Sequence, residues 1–301
     1  MRVAAIDCGT NSIRLLIADV IGDTLTDVAR RMEIVRLGEG VDRTGMLAPE
    51  AIARTRHALI GYAAEIAELG ITRVRMVATS ASRDASNAED FRAMVRGVLG
   101  VDPEVISGDE EARLSFTGAV RGLEAGPPYL VVDIGGGSTE FVTGRSTSEH
   151  AISMDIGCVR MTERHLKSDP PTAAEIAAAE HDITSAVDTA LAAVPGRAAK
   201  TLVGLAGSVT TVTALALDLP AYDSSRIHHA RVSYDEVAKV TADLLAAKVA
   251  ERRALPVMHP GRADVIGAGA LILRTIMERS GQSSVIASEH DILDGICYGL
   301  L

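Results

Sequence analysis

The sequence predicts a two-lobed α/β protein that carries a phosphate-binding turn in each lobe. A short apolar run, Val3-Ala4-Ala5-Ile6, ends in the acidic glycine turn Asp7-Cys8-Gly9-Thr10-Asn11-Ser12 and leads into a second β-prone run, Ile13 to Val20. The same unit returns at Tyr129-Leu130-Val131-Val132, which precedes Asp133-Ile134-Gly135-Gly136-Gly137-Ser138-Thr139-Glu140 and a run ending at Thr143. Around both units, strand-like runs mix with long helical ones, the pattern of layered α/β domains. With 301 residues, 47% of them hydrophobic, the chain can bury two cores.

Apolar β-prone runs bounded by turn residues place strands at 3–7, 12–20, 25–36, 73–78, 103–106, 129–133 and 139–144, then near 148–155, 201–205 and 284–287. Helices are expected at 49–69, 87–99, 109–122, 159–167, 172–192, 208–217, 234–247, 261–279 and 290–300. Ala51, Ile52, Leu59, Ala63, Ile66 and Leu69 recur near the 3.6-residue period, and Gly70 supplies the stop. Gly126-Pro127-Pro128 is the sharpest break, so lobes are expected over 1–126 and 127–301, with the last helix crossing back to the first lobe.

The cysteines, Cys8, Cys158 and Cys297, lie far apart without metal-ligand spacing and read as reduced residues, although Cys8 sits in a turn where oxidants could reach it. Met1 to Asp7 is too short for a secretory segment, and the longest uncharged stretch, Thr201 to Leu217, is too polar for a membrane span. A net charge of −10 argues against non-specific nucleic-acid binding. It also requires that any contact with a polyanion rest on local positive charge.

Glycine permits positive φ and keeps side chains out of a ligand's way. Successive N–H groups of Gly9, Thr10, Asn11 and Ser12, and of Gly135, Gly136, Gly137, Ser138 and Thr139, would then form anion cradles together with the hydroxyls. Asp7 and Asp133, each ending a strand, suit a hard cation such as Mg²⁺. Either turn alone reads first as an ordinary hairpin; the pair points to phosphate. A third segment, Leu202 to Ser208, reads as strand, turn and helix with Ser208 as N-cap, giving an anion or nucleotide site or a plain βα turn.

Arg14, Arg83 and Arg262 are the candidate phosphate contacts, because a guanidinium fork matches phosphate oxygens. Each is also readable as a solvated side chain, but Arg14 lies within its motif. Arg30, Arg31 and Arg36 are placed on a solvated edge. Ser107-Gly108-Asp109-Glu110 reads as a capping box, leaving Glu111 about 100° further around the helix and available to align a water. The plainer alternative makes Glu110 and Glu111 first-turn acids favoured by the helix dipole. Glu140 is the further candidate carboxylate beside Asp133. His228-His229 reads as a polar loop.

The segments Asp7 to Leu15 and Asp133 to Glu140 resemble the two phosphate motifs of the exopolyphosphatase and guanosine pentaphosphate phosphohydrolase family. Ser107-Gly108-Asp109-Glu110-Glu111-Ala112-Arg113, Arg262-Ala263-Asp264-Val265-Ile266 and Gly269-Ala270 support the likeness, which runs from about residue 3 to 295. The resemblance implies the two-lobed fold of actin, sugar kinases and chaperone ATPases. It implies Mg²⁺-dependent removal of the terminal phosphate of inorganic polyphosphate, with guanosine pentaphosphate as the alternative substrate and a monovalent cation such as K⁺ as a second ion. Glu111 becomes the base that activates water, Asp7, Asp133 and Glu140 the metal ligands, and the two cradles with Arg14, Arg83, Gly207, Ser208 and Arg262 the phosphate contacts. A cytoplasmic homodimer with no nucleic-acid or membrane partner completes the expectation.

The sequence departs from that family in two places. Long bacterial members carry an additional helical C-terminal half, whereas this chain stops at Leu301, which favours short polyphosphates. Asp291, Ile292 and Leu293 stand where members commonly have Gly, Leu and Arg, so one phosphate contact is missing. Two other classes stay open: a small-molecule kinase, betrayed by acceptor-dependent ADP formation, and a non-catalytic polyphosphate or alarmone sensor, disfavoured by the intact carboxylates.

Overall fold

A computed structural model describes residues 1–22 and 24–300. The strand β1 (Arg2–Cys8) is apolar throughout because both of its faces are covered. Successive side chains of a strand point to opposite sides. Ala4 and Ile6 accordingly pack in a core with Leu59, Tyr62 and Ile66 of helix Pro49–Glu68. Val3 and Ala5 pack in a second core with Ile292, Leu293 and Ile296 of the C-terminal helix Ile292–Tyr298.

The chain divides into two compact units, one formed by Met1–Gly118 with the segment from Ile292 onward, the other by Ala119–Asp291. Gly126-Pro127-Pro128 lies inside the second unit, where Thr201 Oγ1 donates to the Gly126 carbonyl and Lys200 N to that of Pro128.

The first unit holds a five-stranded sheet built from β1, β2 (Ser12–Ile21), β3 (Thr24–Ile34), β4 (Val74–Ala78) and β5 (Glu104–Val105), ordered β3-β2-β1-β4-β5. The second unit holds β6 (Tyr129–Ile134), β7 (Thr139–Gly144), β8 (Ser148–Met154), β9 (Thr201–Leu205), β10 (Arg231–Ser233) and β11 (Ser284–Ala287), ordered β10-β11-β9-β6-β7-β8. In both, the leading hairpin and its neighbour are antiparallel and the next two pairings are parallel. Thus β3-β2-β1-β4-β5 repeats as β8-β7-β6-β9-β11, with β10 added as an antiparallel edge. This is the duplicated mixed-sheet plan expected of the actin-like fold.

The long elements fall close to their expected spans. Those not foreseen are the three-residue strand β10 and helices Val41–Thr44, Ser80–Asp84, Ser224–Ile227 and Val249–Arg253, all too short to show a period. The last helix begins at Ile292 instead of residue 290, and the helix expected from 261 begins at Ile266 after a 3₁₀ turn, Pro260–Arg262. The capping box at Ser107 is half formed: Ser107 Oγ accepts from Glu110 N at 3.2 Å, but the Glu110 carboxylate takes Arg75 at 2.7 Å. Arg30 and Arg31 are not simply solvated, since they bind Asp294 and Glu65 at 2.8 Å each. Cys8 ends β1 fully buried, and burial pushes its thiol pKa well up, so it is not open to oxidants. Among the described residues no helix is long and apolar enough to cross a membrane.

Leu293 is buried among Val3, Leu16 and Ile296, so an arginine at this position would lie in the first unit's core. The neighbouring Gly295 faces Leu114 so closely that a Cβ would overlap its carbonyl. Gly295→Ala is therefore expected to cost about 1–3 kcal/mol by overpacking, read as a lowered midpoint in thermal unfolding followed by circular dichroism.

Candidate active site

In the second unit, the turn between β6 and β7 is closed by Gly135 N donating to Ser138 O at 3.0 Å. Its carbonyls are then fixed one by one. Gly135 O accepts from Cys158 N, and Gly136 O from Val159 N and Arg160 N, at 2.9–3.1 Å. Gly137 O accepts from Arg160 Nε at 2.7 Å. Those donors open helix Cys158–His165, so the helix spends its free N–H groups on the turn. In a trans peptide the C=O and the following N–H point opposite ways. The N–H groups of Gly136, Gly137 and Ser138 are thereby aimed away from the helix, as an anion cradle requires.

None of Gly9, Gly135, Gly136 or Gly137 has positive φ, so left-handed backbone is not why they are glycines. Close approach is the reason for a glycine at Gly157, where a Cβ would overlap the Gly136 carbonyl and Gly137 N.

The first unit builds the equivalent turn from different neighbours. Gly9 N donates to Ser12 O at 2.9 Å, matching Gly135 and Ser138. Thr10 O accepts from Gly38 N, and Asn11 O from Val35 N and Arg36 N, at 2.9–3.1 Å. The N–H groups of Asn11 and Ser12 consequently point away from the 35–38 segment. Gly38 packs so tightly that a Cβ would overlap the Thr10 methyl, and Thr10 Oγ1 is held 2.8 Å from Ser80 Oγ.

The two hairpins differ in charge. Asp7 faces Arg14 across β1 and β2, and Arg14 Nη2 donates to Asp7 Oδ2 at 2.6 Å. Asp133 faces Glu140 across β6 and β7, and both side chains are buried. Ser153 Oγ on β8 orients Glu140 by donating to Oε1 at 2.7 Å. Opposed residues share a face, with Cβ atoms about 4.5–5.5 Å apart, so these carboxylates form a hard-oxygen pair suited to Mg²⁺. Among the described residues no three His, Cys, Asp or Glu side chains gather into a ready metal cage.

Glu111 lies in the first turn of helix Gly108–Val120 and is buried. Arg83 Nη1 donates to Glu111 Oε2 at 3.2 Å and to Ile106 O at 2.9 Å. Arg83 was expected in an irregular turn but closes helix Ser80–Asp84, whose first residue holds Thr10. Cradle, arginine and carboxylate of the first unit are thus joined through one short helix.

The third turn corrects the expectation for Ser208. Helix Ala206–Ala216 starts after Leu205, and Ser208 lies inside it, buried against Gly269. The Arg262 guanidinium lies directly over Gly207, in the space a Cβ there would take, while its Nη1 donates to Thr211 Oγ1 at 2.9 Å. Anything laid over this turn meets that guanidinium first. His228 and His229 lie in a turn, as expected of a polar loop, and stack at 3.7 Å, with the His290 ring 4.4 Å from that of His228. Gly38, Gly157, Arg160 and Ser153 escape sequence reasoning; the one available signal was Gly157 directly before a helix.

The profile of the Ppx/GppA phosphatase family matches residues 16–301. The chain is 52% identical, over 313 aligned positions, to Exopolyphosphatase 2 of Mycobacterium tuberculosis, covering 99% of this chain and 98% of that protein. It superposes on the crystal structure of an exopolyphosphatase-like protein with a TM-score of 0.96 at 43% identity, covering 99% and 98% of the two chains. The Aquifex aeolicus member of the Ppx/GppA family gives a TM-score of 0.84 at 32% identity, covering 99% and 97%.

Gly157→Ala should push Gly136 and Gly137 out of place. The expected outcome is a loss of about a hundredfold in pyrophosphate affinity by calorimetry, with an unchanged circular dichroism spectrum.

Proposed function

The chain belongs to the Ppx/GppA phosphatase family, and we propose that it is an exopolyphosphatase releasing orthophosphate from the end of inorganic polyphosphate. One observation supports this above others: both units present a glycine turn whose carbonyls are pinned and whose N–H groups are left for an anion. The relatives' names point the same way.

Each unit carries its own set of groups for this task. The first unit contributes the N–H groups of Asn11 and Ser12, the guanidiniums of Arg14 and Arg83, and the Glu111 carboxylate. The second contributes the N–H groups of Gly136, Gly137 and Ser138, the carboxylates of Asp133 and Glu140, and Arg262. Glu111 accepts a proton from a water as its oxygen bonds to the terminal phosphorus. The bond from that phosphorus to the bridging oxygen breaks, leaving orthophosphate and a chain one phosphate shorter. Hydrolysis of an anhydride is downhill, so positioning and charge neutralisation do most of the catalytic work. When bound at Asp133 and Glu140, Mg²⁺ supplies further neutralisation of the phosphate oxygens.

Inorganic polyphosphate is preferred to guanosine pentaphosphate in this reading because Arg262 covers the third turn, the only place the sequence offered a nucleoside. A monovalent cation, a cytoplasmic setting and a homodimer belong to the same reading through the family resemblance.

Orthophosphate release with Mg²⁺, from short polyphosphate, long polyphosphate and guanosine pentaphosphate in parallel, tests the proposal. Glu111→Gln should lower kcat by about 10²–10⁴ with tripolyphosphate binding retained. Binding without release by the parent protein would favour a sensor, and ADP formed only with an acceptor would favour a kinase.

A further inference from the structure

Each phosphate turn closes in the same way, Gly9 N on Ser12 O and Gly135 N on Ser138 O, so Asn11 corresponds to Gly137 and Ser12 to Ser138. The C=O of Gly137 and the N–H of Ser138 belong to one peptide group. Arg160 Nε donates to that carbonyl at 2.7 Å, which puts a guanidinium directly behind the Ser138 N–H. In the first unit the corresponding carbonyl, Asn11 O, accepts instead from two backbone groups, Val35 N at 3.1 Å and Arg36 N at 2.9 Å.

Behind Arg36 the pattern resumes. The N–H of Arg36 shares its peptide with the C=O of Val35, and that carbonyl accepts from Arg54 Nε at 2.8 Å. Arg54 belongs to helix Pro49–Glu68 and approaches this peptide from the side opposite the turn. Hydrogen bonds therefore run in one line, from the Arg54 guanidinium through the Val35–Arg36 and Asn11–Ser12 peptides to the outward Ser12 N–H. The rest of the guanidinium holds the same segment: Nη2 donates to Glu39 Oε2 at 3.0 Å and to Arg36 O at 3.4 Å. The segment needs such a brace, because Arg36 has a φ of 51°, a left-handed backbone that residues with a side chain seldom adopt.

We infer that Arg54 is the positioning residue of the first phosphate turn: through the Val35–Arg36 peptide it fixes and polarises the Ser12 N–H, as Arg160 does directly for Ser138. Peptides hydrogen-bonded head to tail polarise one another, and a charged donor at one end strengthens the donor at the other. The Ser12 N–H thus gains positive character from a cation that does not touch the ligand. Both units use one device, an arginine behind the serine amide, with an extra peptide interposed in the first. Arg14 and Arg83 differ from Arg54 in being assigned to the phosphate itself. The inference rests on the phosphate-binding reading above and adds to it a residue outside the site.

Inorganic tripolyphosphate is the probe, titrated into the intact protein while amide resonances are followed, with orthophosphate release assayed on the same samples. Arg54→Met removes the donors and keeps an unbranched stem. It should move the Ser12 amide proton upfield before any ligand is added, while the Ser138 amide, backed by Arg160, keeps its position. Binding should weaken about tenfold, close to the loss of one hydrogen bond to a charged group. KM should rise by a similar factor with kcat unchanged within about threefold. Added methylguanidinium should restore both the Ser12 resonance and KM, which it would not do for a helix that had merely lost packing. Parent-like affinity with an unmoved Ser12 resonance in folded Arg54→Met would overturn the inference, and so would a loss that methylguanidinium leaves in place. Should that variant not fold, Arg54→Lys decides. A point charge cannot reproduce the fork, so a loss of about threefold or more is expected, and parent affinity would overturn the inference. Saturable binding by the parent protein without orthophosphate release would sink the exopolyphosphatase reading while the binding data still decide the role of Arg54; no binding by the parent would overturn both.

Discussion

Once the carbonyls of Gly135, Gly136 and Gly137 accept hydrogen bonds from Cys158, Val159 and Arg160, the peptide planes of that turn can face only one way. Everything chemical about the second unit depends on this. The helix behind the turn would otherwise expose unsatisfied N–H groups at its start, and the turn would be free to flip its peptides. Each side satisfies the other, and Gly157 is the hinge point where the two backbones touch. The first unit reaches the same result with no helix, using the irregular segment from Val35 to Gly38, which bends through Arg36 at a φ of 51°, against Thr10 and Asn11. The conserved quantity between the units is the direction of the N–H groups, while the element that fixes it is interchangeable.

Charge is arranged on that frame so that a strongly acidic chain can handle a polyanion. With a net charge of −10, long-range attraction is unfavourable, and affinity must come from contacts within a few ångströms. The guanidiniums of Arg14, Arg83 and Arg262 are each held by an acid or hydroxyl of their own unit, at Asp7, Glu111 and Thr211. Such pairs fix the side chains in place before any ligand arrives, which reduces the ordering cost of binding. Leu293, in contrast to those charges, contributes to the core that seats the C-terminal helix on β1.

Much of this was legible in the sequence, and what was hidden is of one kind. The hairpins, their acids and the long helices announce themselves through runs of neighbouring residues, where period and turn chemistry operate. Glu111 was readable because it sits one position beyond the capping-box residue Glu110, although Ser107 caps that helix without the reciprocal bond from Glu110. Ser208 misled because a serine after glycines looks like an N-cap, while the backbone enters the helix two residues earlier through Ala206, at a φ of 66°. Gly38, Arg160 and Ser153 were invisible because their partners lie between 13 and 28 residues away, at Thr10, Gly137 and Glu140. No local pattern encodes contacts of that range; only the register of the folded sheet brings them together.

Amide resonances of isotopically labelled protein, followed during titration with tripolyphosphate, test the central claim that outward-facing N–H groups of both turns hold phosphate. The account predicts that Asn11, Ser12, Gly136, Gly137 and Ser138 shift together and saturably, while the strand amides of β3 and β8 stay in place. Saturable binding that leaves these five amides unmoved would contradict it.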